Sequence, residues 1–238
     1  MHVVRRYFES FLDVLFPRLC AGCERELLPV SIEKAICTDC LFRIEQTNFH
    51  LSPQENASYF KFAGKIPLQG ACSCFYFDKA GRMQRIVHAL KYHSRALLGN
   101  EVGFFYGEML KQTSWIQSID VIVPVPLHAR RLQERGYNQA ERFAAGLSKA
   151  LHLPVRPDLF YRKTYTRSQT GKQKQARWNN VKTIFTASKK NSQLPKSVLL
   201  VDDVITTGST LEAAARCLLE MGVEKIWIAS LAVARSGE

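Results

Sequence analysis

The segment Val198-Leu199-Leu200-Val201-Asp202-Asp203-Val204-Ile205-Thr206-Thr207-Gly208-Ser209-Thr210 passes from an apolar run through two carboxylates into a hydroxyl-rich turn. Thr206, Thr207, Ser209 and Thr210 offer hydroxyls, and Gly208 lets a backbone approach a ligand closely. A helix opening at this turn directs free N–H groups and the positive end of its dipole at an anion. Asp202 and Asp203 accept hydrogen bonds and suit vicinal sugar hydroxyls. The types and their order therefore suit a sugar phosphate. The turn alone also reads as a plain helix N-cap, with the two Asp as a polar strand end. Other nucleotide motifs are absent: there is no Gly-x-x-x-x-Gly-Lys, and no Gly-x-Gly-x-x-Gly follows a strand.

A second chemistry is written in cysteine. Cys20-x-x-Cys23 and Cys37-x-x-Cys40 are matched pairs separated by a short insert, the spacing of a structural zinc knuckle with four thiolate ligands. Each pair bends a tight turn, and Gly22 is expected to relieve the strain of the first. Four cysteine ligands close the metal's coordination and leave no position for substrate, so the role is structural. Cys72 and Cys74 alternate on one strand face and Cys217 lies among apolar residues of a helix, both expected to be packing.

The elements that must position these groups alternate strand with helix. Ala71 to Phe77 reads as a strand; Met83, Ile86, Val87 and Leu90 mark one helix and Leu98, Val102, Phe105 and Met109 the next. Ile119 to Val125 is a buried strand stopped by Pro124 and Pro126. Ala140, Ala144, Leu147 and Leu151 fall at helical spacing, and a polar stretch follows from Tyr161 to Asn180. Val198 to Val201 reads as a second buried strand, Leu211 to Met221 as a helix and Lys225 to Val233 as a last strand. Repeated β-α-β units predict an α/β fold, a parallel sheet flanked by helices with a small N-terminal zinc knuckle. Ligands of such sheets lie beyond the carboxyl ends of the strands. The expected organisation is an amphipathic helix over 1–17, the zinc-binding knuckle over 18–48, a connecting segment over 49–70 and the α/β domain over 71–238.

Composition narrows the class further. The 238 residues can bury a substantial core, and no apolar run reaches the ~18–20 residues of a transmembrane helix. Glu9 and Asp13 interrupt what would otherwise imitate a signal peptide, while Val4, Tyr7, Phe8, Phe11, Leu12 and Leu15 form one apolar stripe. Clustered thiols without an export signal point to a reducing, cytoplasmic setting. Lys and Arg total 33 against 21 Asp and Glu, a net charge of +12 that suits a polyanionic partner or a phosphate ligand equally.

The whole Val198 to Thr210 segment resembles the phosphoribosyl pyrophosphate motif of type I phosphoribosyltransferases. Upstream, Val123-Pro124-Val125-Pro126-Leu127, Arg135-Gly136-Tyr137-Asn138-Gln139-Ala140, and Arg162-Lys163 with Gln169, Arg177, Asn179, Asn180 and Phe185 extend the resemblance. With the paired cysteines, these are similar to the ComF family, which joins a zinc finger to a phosphoribosyltransferase domain and is named for competence for DNA uptake. The resemblance implies that Asp202, Asp203 and the turn Thr206, Thr207, Gly208, Ser209, Thr210 hold ribose and 5-phosphate. It implies that Pro124, Val125, Pro126 and Leu127 form a pyrophosphate loop, and that Arg162 to Arg177 closes over the site. Many relatives carry further paired cysteines before the catalytic domain, where this chain has only Cys72-x-Cys74.

Two functional readings follow. In the first, the site takes phosphoribosyl pyrophosphate or a related ribose phosphate together with magnesium, and transfer to a nitrogen nucleophile would make the protein a phosphoribosyltransferase. Arg162, Lys163 and Arg177 would then face the departing pyrophosphate. No residue visibly selects a base, so turnover stays open. In the second, the protein is a binding module for single-stranded DNA working with competence-machinery proteins. Lys91-Tyr92-His93, Arg95, Arg130-Arg131, Lys172, Lys174, Arg177 and Trp178 would supply phosphate contacts and a stacking surface.

Overall fold

A computed structural model describes residues 17–27, 35–78, 81–92, 95–163, 184–188 and 193–235. The expected helix over 1–17 therefore lies almost wholly outside the described residues, as do His93, Gln169, Lys172, Lys174, Arg177, Trp178, Asn179 and Asn180. The elements in chain order are α1 (Thr38–Arg43), α2 (Ala57–Phe60), β1 (Gly70–Phe77), α3 (Arg82–Tyr92), α4 (Ala96–Leu110), β2 (Val121–Pro124), α5 (Ala129–Arg135), α6 (Gln139–Leu151), β3 (Phe160–Arg162), β4 (Phe185–Ala187), β5 (Ser197–Ile205), α7 (Ser209–Met221) and β6 (Lys225–Ala234). No helix among the described residues is long and apolar enough to cross a membrane.

Four strands form a parallel sheet in the order β1-β6-β5-β2, so their carboxyl ends share one edge. The period-2 alternation of β5 divides its side chains between two apolar layers. Leu199 and Val201 meet α3, α4 and α6 through Ile86, Val102, Phe143 and Leu147. Val198 and Leu200 meet α7 through Leu211, Ala214 and Leu218 on the opposite face. Helices α4 and α6 approach so closely that a Cβ on Gly103 would stand 2.2 Å from the carbonyl oxygen of Phe143. The small residues along this seam are what let the backbones touch.

Three expectations change. β5 does not stop at Val201: its pairing with β6 continues through Asp202 opposite Ser230 and Val204 opposite Ala232. The carboxylates consequently stand within the sheet and are half-buried, not beyond its last paired residue. The knuckle is not set apart from the α/β body either, because Cys20, Ile36, Cys40 and Ile44 belong to the same apolar layer as Met83, Ile86 and Leu90 of α3. The connecting segment is also more than a tether. Phe62 is fully buried in the α7 layer, and Asn56 caps α2 while its amide donates to the carbonyls of Ser52 and Ala71 at 2.8 Å each. Ser58, Ser73 and Ser230 then form a buried hydroxyl chain, with Oγ separations of 2.8 and 2.7 Å, tying that segment to β1 and β6.

Candidate functional site

The end of β5, the turn after it and the first turn of α7 border a shallow cleft open to solvent. Its lining is Asp202, Val204 and Ile205 together with the run Thr206 to Leu211. Gly208 makes the turn possible, since its φ of +81° lies in the left-handed region that residues with a Cβ rarely adopt. A Cβ there would stand 2.8 Å from Cε1 of Phe62. A side chain at position 208 would thus meet both the buried ring beneath the turn and an unfavourable backbone angle. Thr206, Thr207 and Ser209 are exposed to the cleft, with Thr207 Oγ1 and Ser209 Oγ 3.1 Å apart. Hydroxyls and first-turn N–H groups of α7 together make a cradle for an anion.

The carboxylate pair is held by its own backbone. The Asp203 N–H donates to Asp202 Oδ1 at 2.8 Å and the Val204 N–H to Asp203 Oδ1 at 2.8 Å. Lys91, the penultimate residue of α3, places its Nζ 3.0 Å from Asp203 Oδ2. Burial, and then the charge of Asp203, push Asp202 up to about 8 against the partial relief of the Asp203 N–H, Lys91 and Arg162.

β2 pairs with β5 so that Pro124 lies opposite Val201, and the Val125 N–H donates to the Val201 carbonyl at 2.9 Å. Val125, Pro126 and Leu127 hence leave the sheet at the edge where Asp202 and Asp203 stand. Asn138, the N-cap of α6, fixes this loop by donating to the Val125 carbonyl at 3.0 Å. Arg162 ends β3, whose antiparallel pairing with β4 joins the two flanks of the segment between them. Its guanidinium lies 5.7 Å from the Phe185 ring centre. Burial and the nearby Arg131 lower its pKa, opposed by Asp202. Lys163 is exposed and starts the segment whose remainder, Arg177 included, lies outside the described residues.

At the knuckle, the four Sγ atoms of Cys20, Cys23, Cys37 and Cys40 lie within 4.8 Å of one another, with Cys23 and Cys37 3.8 Å apart. A tetrahedral ion with Zn–S bonds of about 2.3 Å sets its ligands about 3.8 Å apart, so this donor set fits zinc. Three N–H···S bonds serve the cluster: Gly22 and Cys37 donate to Cys20 Sγ, and Cys40 donates to Cys37 Sγ, at 3.3–3.4 Å. Burial raises the Cys20 pKa, but N–H groups of Cys37, Cys23 and Gly22 outweigh it and bring it to about 7. Burial and the neighbouring thiols push Cys40 up. Gly22 has no left-handed backbone; glycine is required there because a Cβ would stand 2.9 Å from Cys40 Sγ. The module is stitched to the body by Arg85 Nε to the Gly22 carbonyl at 2.9 Å. Glu101 strengthens the join by accepting the N–H groups of Ala35 and Ile36.

Sequence reasoning puts Lys91 among surface cations for nucleic acid, whereas it is tied to Asp203; no local pattern could reveal a pairing between a helix end and a distant strand. Arg95 likewise donates to the Leu19 carbonyl at 2.9 Å, and Arg130 pairs with Glu134 at 3.0 Å. Tyr92 is exposed, with the Arg135 guanidinium 5.8 Å from its ring centre. Cys72 and Cys74 are fully buried, in keeping with packing.

Residues 137–238 match the family described as "Phosphoribosyl transferase domain". Competence protein F of Haemophilus influenzae is 38% identical over 123 residues, covering 51% of this chain and 54% of that protein. Competence protein ComFC of Bacillus subtilis is 40% identical over 102 residues, covering 43% of this chain and 39% of that protein. The matched part thus spans about half the length of the first and less of the second. DNA utilization protein YhgH of Escherichia coli K12 is 31% identical over 157 residues, covering 63% of this chain and 67% of that protein.

Proposed function

The chain belongs to the ComF family, with a phosphoribosyltransferase-like domain, and from that premise we propose that it binds phosphoribosyl pyrophosphate or a related ribose phosphate in the service of DNA uptake. One observation carries the reading: Asp202 and a hydroxyl-rich turn on a helix N-terminus line one cleft, at the sheet edge where Asp203 stands and the loop after β2 leaves. The 5-phosphate lies against Thr206 to Thr210, where it meets hydroxyls and free N–H groups. Asp203, paired with Lys91, and Asp202, with one oxygen free of backbone bonds, face the ribose hydroxyls. Pro124 to Leu127 borders the pyrophosphate, with Arg162 and Lys163 as its cationic partners; Arg177, outside the described residues, is a third candidate for that role. The competence and DNA-utilization names of the relatives support the setting.

Both oxygens of Asp203 and one of Asp202 already have partners, and the four-cysteine cluster alone gathers three or more metal-type ligands among the described residues. Magnesium is taken to come with the pyrophosphate as part of the ligand, since the Asp203 oxygens already face Lys91 and the Val204 N–H. In transfer, the bond from the anomeric carbon to pyrophosphate would break as a nitrogen nucleophile attacks, and the chain's own contribution is to orient the sugar and balance the leaving charge. Zinc in the knuckle is structural, and its thiolate ligands favour the cytoplasm.

A second reading, binding of single-stranded DNA, is favoured by exposed Tyr92 with Arg135 over its ring, beside the basic helix α5. Calorimetric titration of one preparation with magnesium phosphoribosyl pyrophosphate, then with a single-stranded oligonucleotide at two salt concentrations, tests both. Saturable binding of the first, weakened by roughly 1–3 kcal/mol in the Asp202→Asn, Asp203→Asn double variant, is expected. No heat with it, alongside salt-dependent oligonucleotide binding, would leave the DNA reading in its place.

A further inference from the structure

The ion pair between α3 and β5 is a feature that neither the phosphate cradle nor the knuckle requires. Lys91 and Asp203 have side chains only 26% and 16% exposed, which separates them from an ordinary solvated pair. The end of α3 is also fixed. The Leu90 carbonyl, next to Lys91, accepts from the Tyr137 hydroxyl and from Gln139 Nε2, while Met83, Ile86, Val87 and Leu90 are buried along the helix. Lys91 therefore reaches Asp203 from a rigid support. Asp203 has both oxygens engaged, by Lys91 and by the Val204 N–H, whereas Asp202 has one oxygen taken by a backbone N–H and lines the cleft.

The charge of Asp203 repels a nearby phosphate and opposes ionisation of its neighbour Asp202, so a cation is needed there. Arg162 supplies some of that charge toward Asp202. The cation seated on Asp203 is a side chain of this protein. We propose that Lys91 is a positioning residue for the sugar end of the site: its ammonium stands on Asp203 in place of a protein-bound divalent cation, so that ribose 5-phosphate binds with no metal at the carboxylate pair. The inference rests on the sugar-phosphate reading and adds to it that recognition of the ribose end is independent of magnesium.

Ribose 5-phosphate is the probe because it has the hydroxyls and the 5-phosphate but no pyrophosphate to carry magnesium in. The full chain, wild type and variant, is titrated calorimetrically in magnesium-free buffer and again in millimolar magnesium, without chelators that would strip the knuckle. Wild-type affinity should be the same in both buffers. Lys91→Met should bind about tenfold or more weakly without magnesium, the loss of one charge-assisted bond, and regain part of that loss when magnesium is added. Lys91→Arg should retain metal-independent binding, and Lys91→Gln serves if the Met variant does not fold by circular dichroism. Wild-type binding that needs magnesium, or a Lys91→Met variant that binds like wild type in both buffers, would overturn the inference while leaving the sugar-phosphate reading intact. A wild-type chain that binds neither ribose 5-phosphate nor phosphoribosyl pyrophosphate overturns both.

Discussion

Replacing Gly208 with Ala probes the join between the phosphate turn and the ring beneath it. Two costs add. Holding a residue with a Cβ at φ +81° costs about 1–2 kcal/mol, from the clash of the Cβ with the backbone in the left-handed region. The new methyl would also stand 2.8 Å from Cε1 and 3.1 Å from Cζ of Phe62, well inside the ~3.5–4.0 Å at which carbon atoms pack comfortably. Phe62 is itself 1% exposed, so its ring cannot swing into solvent, and relieving the overlap by shifting packed groups costs about 1–3 kcal/mol. Gly208→Ala should therefore lower the unfolding free energy by about 2–5 kcal/mol, read from urea titrations followed by circular dichroism. The same substitution in a Phe62→Leu background should lose the overlap and keep only the backbone cost, a penalty of about 1–2 kcal/mol. An Ala variant as stable as wild type, or a penalty unchanged in the Leu background, would refute the account of how the turn is supported.

Elemental analysis of protein purified without chelator should find one zinc per chain, and a metal-free preparation still folded through residue 44 would remove the assignment. Cys37→Ser should be felt beyond the knuckle, because Cys40 and Gly22 pack on α3: the variant should show a lower thermal midpoint and faster amide exchange across Arg82–Tyr92. Asp202→Asn should remove a pH dependence of stability. Burial and Asp203 raise Asp202 from 3.8 to about 8, so the folded state binds more protons than the unfolded one between those values. The stabilisation is complete below the unfolded value of 3.8 and lost as the pH rises through about 8. Urea midpoints compared at mildly acidic and mildly alkaline pH should therefore fall more in wild type than in the Asn variant, and identical falls would exclude the shift.

Much of this was legible in the residues themselves. The matched cysteine pairs required a closed thiolate cluster, and the passage from apolar strand through Asp202 and Asp203 to the Thr206–Thr210 turn defined the groups of the cleft. Such features lie close in sequence and turn on backbone geometry over a few residues, which local residue types control. The β-α-β alternation was legible for the same reason, since each element's apolar spacing states which face it must bury. The tertiary structure decided how those groups are charged and supported. It carried β5 past Val201 to Ile205, which half-buried the carboxylates and raised Asp202. It brought Lys91 onto Asp203, set Phe62 beneath Gly208 and merged the knuckle with the layer beneath α3. Each of these depends on side chains far apart in sequence meeting across packed layers, and burial, the quantity that sets their energies, exists only once the chain has closed on itself.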